Sequence, residues 1–152
     1  MDKEIGEFVK AIGAIDIREH VNQTELRGLF KRPNYFFLPK QNTFLIVKVS
    51  RSKLKDFWGV RKKFIEFFKA FAKVESRFHV VCLNSGSEGW ALPGAYVNSC
   101  IEDGALSYSV KGDQYKINGY NLKDQFRFRT TLDCMRIIAK TVDCQIKWTD
   151  FT

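Results

Sequence analysis

No stretch of the chain approaches the ~20 consecutive apolar residues that span a bilayer, so no membrane-crossing helix and no membrane partner are expected. The start, Met1-Asp2-Lys3-Glu4, is too polar for a secretory signal. None of the four cysteines, Cys82, Cys100, Cys134 and Cys144, stands in a C-x-x-C pair, and the two histidines, His20 and His79, lie far apart. That spacing carries no zinc signature, and the cysteines read as reduced, partly buried thiols of a cytoplasmic protein. No nucleotide-cradling glycine loop and no dinucleotide fingerprint occur, so no cofactor is expected. The chain has no repeat, no low-complexity tract and no long Pro/Gly/Ser linker, which leaves a single domain over 1–152.

Acid is the scarcest thing in one particular stretch. From Arg27 to Lys73 there are thirteen Lys and Arg against only Asp56 and Glu66, a local net charge of +11. The whole chain carries +8, so the remainder is −3. Such asymmetry points to a polyanionic partner more strongly than the total does. Phenylalanine is abundant, with 14 copies, and rings in that number must largely form core.

The periodicity predicts an α+β fold: a mixed, mostly antiparallel sheet packed by three to four helices. A helical N-terminal part covers about 4–30, with Phe8, Ile12 and Ile15 at helical spacing and a second short helix from Asn22 or Thr24 to Phe30. A sheet-and-helix core follows over about 34–148. Tyr35 to Leu38 and Thr43 to Val49 form a hairpin across Pro39-Lys40-Gln41-Asn42. The second strand, apolar on both faces, is central. Asp56 is expected to cap a helix that aligns Phe57, Val60, Phe64, Phe67, Phe68 and Phe71. Strands follow at Phe78 to Leu83 and Trp90 to Leu92, then a helix from about Pro93 to Asp103. Lys111-Gly112-Asp113 turns a hairpin between Tyr108 and Tyr115. A helix from Thr131 to about Lys140 and a strand with Cys144, Ile146 and Trp148 complete the chain.

The leading candidate site is a basic strand–loop–helix surface: Lys40, Lys48, Arg51, Lys53, Lys55, Trp58, Arg61, Lys62 and Lys63. Arg51, Lys53 and Lys55 precede the expected helix start, where side-chain charge and backbone N–H groups suit phosphate oxygens. Trp58 falls about a quarter turn off the apolar stripe, so partial exposure and stacking on a base are expected. The bland alternative is a solvated helix face. The expected function is binding of DNA or RNA through the phosphate backbone.

Two other functions stand beside it. The order helix, strand, strand, helix, strand resembles the core layout of restriction-endonuclease-like enzymes, with Lys48 on a central strand. That resemblance implies a metal-dependent nuclease or a relative of one. Its acid-x-Lys motif needs an acid where Ile46 stands, and the hairpin holds no Asp or Glu. The third reading is an interaction or inhibitor module whose basic face docks on an acidic protein.

Minor candidates have plainer explanations. His79 and Cys82, three apart on a strand, point to opposite faces and do not pair. The loop Ser85-Gly86-Ser87-Glu88-Gly89 matches neither a nucleophile elbow nor a phosphate loop. Arg127 and Arg129 are expected on one strand face with Phe126 and Phe128 on the other. Lys123, Arg136, Lys140 and Lys147 join them, and Asp124, Asp133 and Asp143 neutralise part of the set.

Overall fold

The computed structural model describes residues 2–20, 34–50, 57–71 and 77–143. Helix α1 spans Lys3–Ile12 and buries Ile5, Phe8, Val9 and Ile12, the i, i+3, i+4, i+7 set of one helical face. Gly13 stops it in the left-handed conformation (φ 75°) while Ala14 N–H bonds Val9 C=O at 3.0 Å. Ile15 therefore leaves the helical series. With Asp16 it forms the short strand β1 (Ile15–Asp16), followed by a single turn, α2 (Ile17–His20). The expected helix over 22–30 lies outside the described residues.

Strands β2 (Tyr35–Leu38) and β3 (Thr43–Val49) form the expected hairpin across a 3₁₀ turn at Pro39–Gln41. The next segment departs from expectation. Phe57–Arg61 is strand β4, and helix α3 begins only at Lys62 and runs to Phe71. The helical reading followed Phe57, Val60 and Phe64, which happen to be three and four apart. The period that governs the segment is two: Trp58 and Val60 point inward and lie opposite Ile117 and Tyr115.

Strand β5 (Arg77–Leu83) lies parallel to β3, from Thr43 opposite Arg77 to Val49 opposite Leu83. Strand β6 (Gly89–Pro93), helix α4 (Gly94–Glu102), strands β7 (Ser107–Ser109) and β8 (Gln114–Asn118), strand β9 (Arg127–Phe128) and helix α5 (Thr131–Asp143) follow. The strands make a six-stranded mixed sheet, β1-β2-β3-β5-β6-β9, and a three-stranded antiparallel sheet, β4-β8-β7. This is the expected α+β class, with β3 central. Among the described residues, no helix is long and apolar enough to cross a membrane. The expected final strand lies outside them.

The six-stranded sheet is buried on both faces. On one, Tyr35, Phe37, Phe44, Ile46, Phe78 and Val80 meet α3, α4 and the inner face of the small sheet through Phe64, Tyr96, Trp58 and Ile117. On the other, Phe36, Leu38, Leu45, Val47, Val81 and Leu83 meet α1 and α5 through Phe8, Ile12, Cys134 and Ile138. Phe126 and Phe128, expected on one face, join opposite clusters. Phe126 closes a 3₁₀ turn before β9 begins, so strand alternation does not apply to it.

On the α5 side His79 is buried between two threonines. Thr141 Oγ1 lies 3.0 Å from the Ile137 carbonyl, to which it donates its single proton. It also lies 2.7 Å from His79 Nε2, and Thr43 Oγ1 lies 2.8 Å from Nδ1. The imidazole so ties the start of β3 to the end of α5.

Candidate nucleic-acid interface

The small sheet has a wet face and a dry face, and the register assigns each residue. Trp58, Val60, Tyr115 and Ile117 share the inner face with Tyr108. Gly59, Arg61, Gln114, Lys116, Asn118, Ser107 and Ser109 share the outer one, where Arg61 and Ser107 are exposed and Asn118 is buried. No acid stands at any of these outer positions. Lys116 pairs with Gly59 on one side and Ser107 on the other, so Arg61 is its diagonal neighbour, ~7–8 Å away by sheet geometry. A Cβ at Gly59 would meet the Gln114 Oε1 at 2.6 Å, so the Gln114 side chain lies across the bare glycine. The one acid of the hairpin turn, Asp113, accepts a hydrogen bond from the Tyr108 hydroxyl.

Cationic residues continue from this face into α3. Arg61, Lys62 and Lys63 are consecutive where β4 becomes helix, and Arg61 and Lys63 are exposed. Lys62 is half-buried, with its Nζ 5.7 Å from the centre of the Tyr108 ring and 3.9 Å from Glu66. Its backbone N–H bonds Asp113 C=O at 2.9 Å, joining the helix start to the hairpin turn. Lys63 Nζ lies 5.1 Å from the centre of the Phe64 ring.

The other expected site residues are distributed as follows. Lys48 is half-buried near the end of β3, with Nζ 5.9 Å from the centre of the Tyr35 ring. Its side chain is on the sheet face that β4 and α3 cover. Lys40 is exposed in the turn before β3, beyond the far end of that strand, whose first residue Thr43 is already roughly 17 Å from Lys48 at ~3.3 Å per residue. It does not join the group. Arg51, Lys53 and Lys55 lie outside the described residues.

Trp58 requires correction. It is 1% exposed and donates its indole N–H to the Leu83 carbonyl at 3.1 Å. Its ring meets Trp90 edge-on at a centroid distance of 5.8 Å. Because Trp58 sits on a strand and faces inward, it is core and offers no stacking surface.

Lys116 was missed by sequence reasoning. Alternation within Gln114-Tyr115-Lys116-Ile117-Asn118 was sufficient to place it on a polar strand face. Its proximity to Arg61 depends on β4 being a strand.

The second basic set is more dispersed. Arg127 stacks over Trp90, its neighbour across β6 and β9, at 5.0 Å from the ring centre. Arg136 pairs with Asp133 at 3.7 Å, as the expected neutralisation requires. Lys147 lies outside the described residues.

The thiols are core groups. Cys82, Cys100 and Cys134 are free and buried, and burial pushes the Cys82 and Cys134 thiols far above the ordinary range. A thiol held protonated is a poor nucleophile. Cys82 faces the α3–α4 side and His79 the α5 side, so they do not form a pair. Among the described residues, no three His, Cys, Asp or Glu gather in a group that could hold a metal ion. Comparison of the chain with protein-family models, with curated proteins and with solved structures gives no match.

Proposed function

We propose that the chain binds nucleic acid through the phosphate backbone, using the outer face of the small sheet and the β4–α3 junction. The observation that carries this reading is that Arg61 and Lys116 share a sheet face whose outer positions hold no acid, with Lys62 and Lys63 following directly at the start of α3. Arg51, Lys53 and Lys55 precede β4 by a few residues in sequence and add to the same local charge. Clustered cations attract phosphate and release its counterions, a source of affinity independent of base sequence.

The test is a salt titration of binding to single- and double-stranded DNA and RNA. If ~5 phosphates are neutralised, log K falls against log salt with a slope near −4.5 on duplex DNA. Reversing Arg61→Glu and Lys116→Glu together should flatten that slope by about 2, roughly 1 for each lost phosphate contact. Absence of binding at low salt, or a flat response, sinks the reading. Salt-sensitive binding to an acidic protein, with none to nucleic acid, would favour the interaction-module alternative instead.

A further inference from the structure

Beside the outer sheet face, at the C-terminal end of α4, lies a concave pocket of about 570 Å³. Tyr96 and Cys100 of α4 form its back wall, and Leu106 contributes an apolar side. Tyr120 and Asn121, from the 3₁₀ turn after β8, face them, and Lys123 stands at the rim. We propose that this pocket takes one unstacked nucleobase of a single strand, with the flanking phosphates lying on Lys123 and Lys116. The proposal rests on the nucleic-acid reading above and adds the strandedness of the ligand.

The pocket is built in advance. The Tyr96 hydroxyl donates to the Asn121 carbonyl. The Asn121 side chain accepts from Asn118 N–H at 2.9 Å and donates to the Ala105 carbonyl at 3.1 Å. These bonds lock the turn after β8 to the end of α4. The volume falls within the ~300–1,000 Å³ typical of small-ligand sites.

Its chemistry suits a neutral, flat group better than an anion. Tyr120 is 69% exposed, yet its hydroxyl accepts a hydrogen bond from Asn118 Nδ2 at 3.1 Å. A large ring held by its polar end, with most of its surface in water, is a ready stacking platform, and stacking tolerates any base. Burial raises the Cys100 thiol against the opposing hydrogen bond from Tyr96, so it adds no negative charge to the pocket. Glu102 and Asp103, exposed at the α4 end, repel phosphate from that side. The cations lie elsewhere on the rim. Lys123 is one, and Lys116 lies directly across from Ser107, itself a lining residue. Lys116 leads on to Arg61, so the backbone track of the proposed interface passes the pocket mouth. In a duplex each base is stacked and paired, and entering a side pocket would require flipping it out.

The experiment compares anisotropy of the whole chain with a labelled single strand, its duplex, and the same strand made abasic, at one salt concentration. The single strand should bind at least tenfold tighter than the duplex, and the abasic strand should lose most of that advantage. Tyr120→Ala should weaken single-strand binding at least fivefold and leave duplex binding unchanged, whereas Tyr120→Phe should retain most of the preference. Equal affinity for both forms, or an equal loss on both from Tyr120→Ala, overturns the base pocket while leaving backbone binding intact. Failure of every nucleic acid to bind at low salt overturns the parent reading, and the pocket proposal with it. A free mononucleotide binding as tightly as the strand would overturn the strand form of the proposal, since the flanking phosphates would then contribute nothing.

Discussion

The two sheets use their faces in opposite ways. In the six-stranded sheet the middle strands bury both faces, and Tyr35-Phe36-Phe37-Leu38 has no position for a charge. In the three-stranded sheet β4 and β8 give Trp58, Val60 and Ile117 to the core from one face and place Arg61, Gln114 and Lys116 on the other, while β7 is an exposed edge. A strand buried on both faces fixes position but can bind nothing, whereas a half-wet strand presents side chains at fixed spacing to a partner. The proposed interface lies on the smaller sheet, and the strands buried on both faces lie in the larger.

That division can be broken or sharpened by mutation, beginning with the largest effects. Trp58→Ala removes the ring that joins the small sheet to the large one, and a buried Trp→Ala change costs about 3–5 kcal/mol. Urea unfolding should show that loss, and a cost under 1 kcal/mol would mean the sheets are not coupled through Trp58. Leu45→Ala, on a strand buried on both faces, should cost about 2–5 kcal/mol by the same measurement.

Thr141→Val removes the hydroxyl that hydrogen-bonds His79 Nε2 and leaves the buried imidazole without that partner, a penalty of about 1–3 kcal/mol. Hydrogen exchange should show the end of α5 loosened first. Unchanged protection there would mean that the imidazole does not hold the helix to the sheet.

Gly13→Ala forces a left-handed φ on a residue with a side chain, at a cost of about 1 kcal/mol. No atom within 4 Å would clash with the new Cβ, so the effect isolates backbone strain. The smallest stability effects belong to the outer face. Arg61→Ala and Lys116→Ala should each shift stability by less than about 0.5 kcal/mol while weakening nucleic-acid binding. A large stability loss from either would place that residue in the scaffold instead of the interface.

Much of the large sheet was legible from local pattern. Apolar runs bounded by turn residues marked β2, β3 and β5, and Pro93 and Gly104 bracketed α4. Lys111-Gly112-Asp113 marked the β7–β8 hairpin, where Asp113 takes a positive φ of 47°. What was not legible depended on partners distant in sequence. Phe57, Val60 and Phe64 satisfy helical spacing, and only pairing with Tyr115 and Ile117 shows that Trp58 and Val60 alternate on a strand. That one misreading put Trp58 on the surface and hid the neighbourhood of Arg61 and Lys116. Tyr120 went unnoticed for a related reason. Its position beside α4 is set by the Asn118 and Asn121 hydrogen bonds, which no local pattern of apolar residues announces.

The register of β4 on β8 also bears on the order in which the molecule forms. The β7–β8 hairpin closes over the short turn Val110 to Asp113, whereas β4 must close a far longer loop to reach β8. Loop-closure entropy therefore favours the hairpin first, with β4 docking after much of the intervening chain has collapsed. Until that happens Lys116 is present but Arg61 is not beside it. The cationic face thus exists only in molecules that have completed their longest-range pairing, and a folding intermediate with an intact hairpin would still lack it.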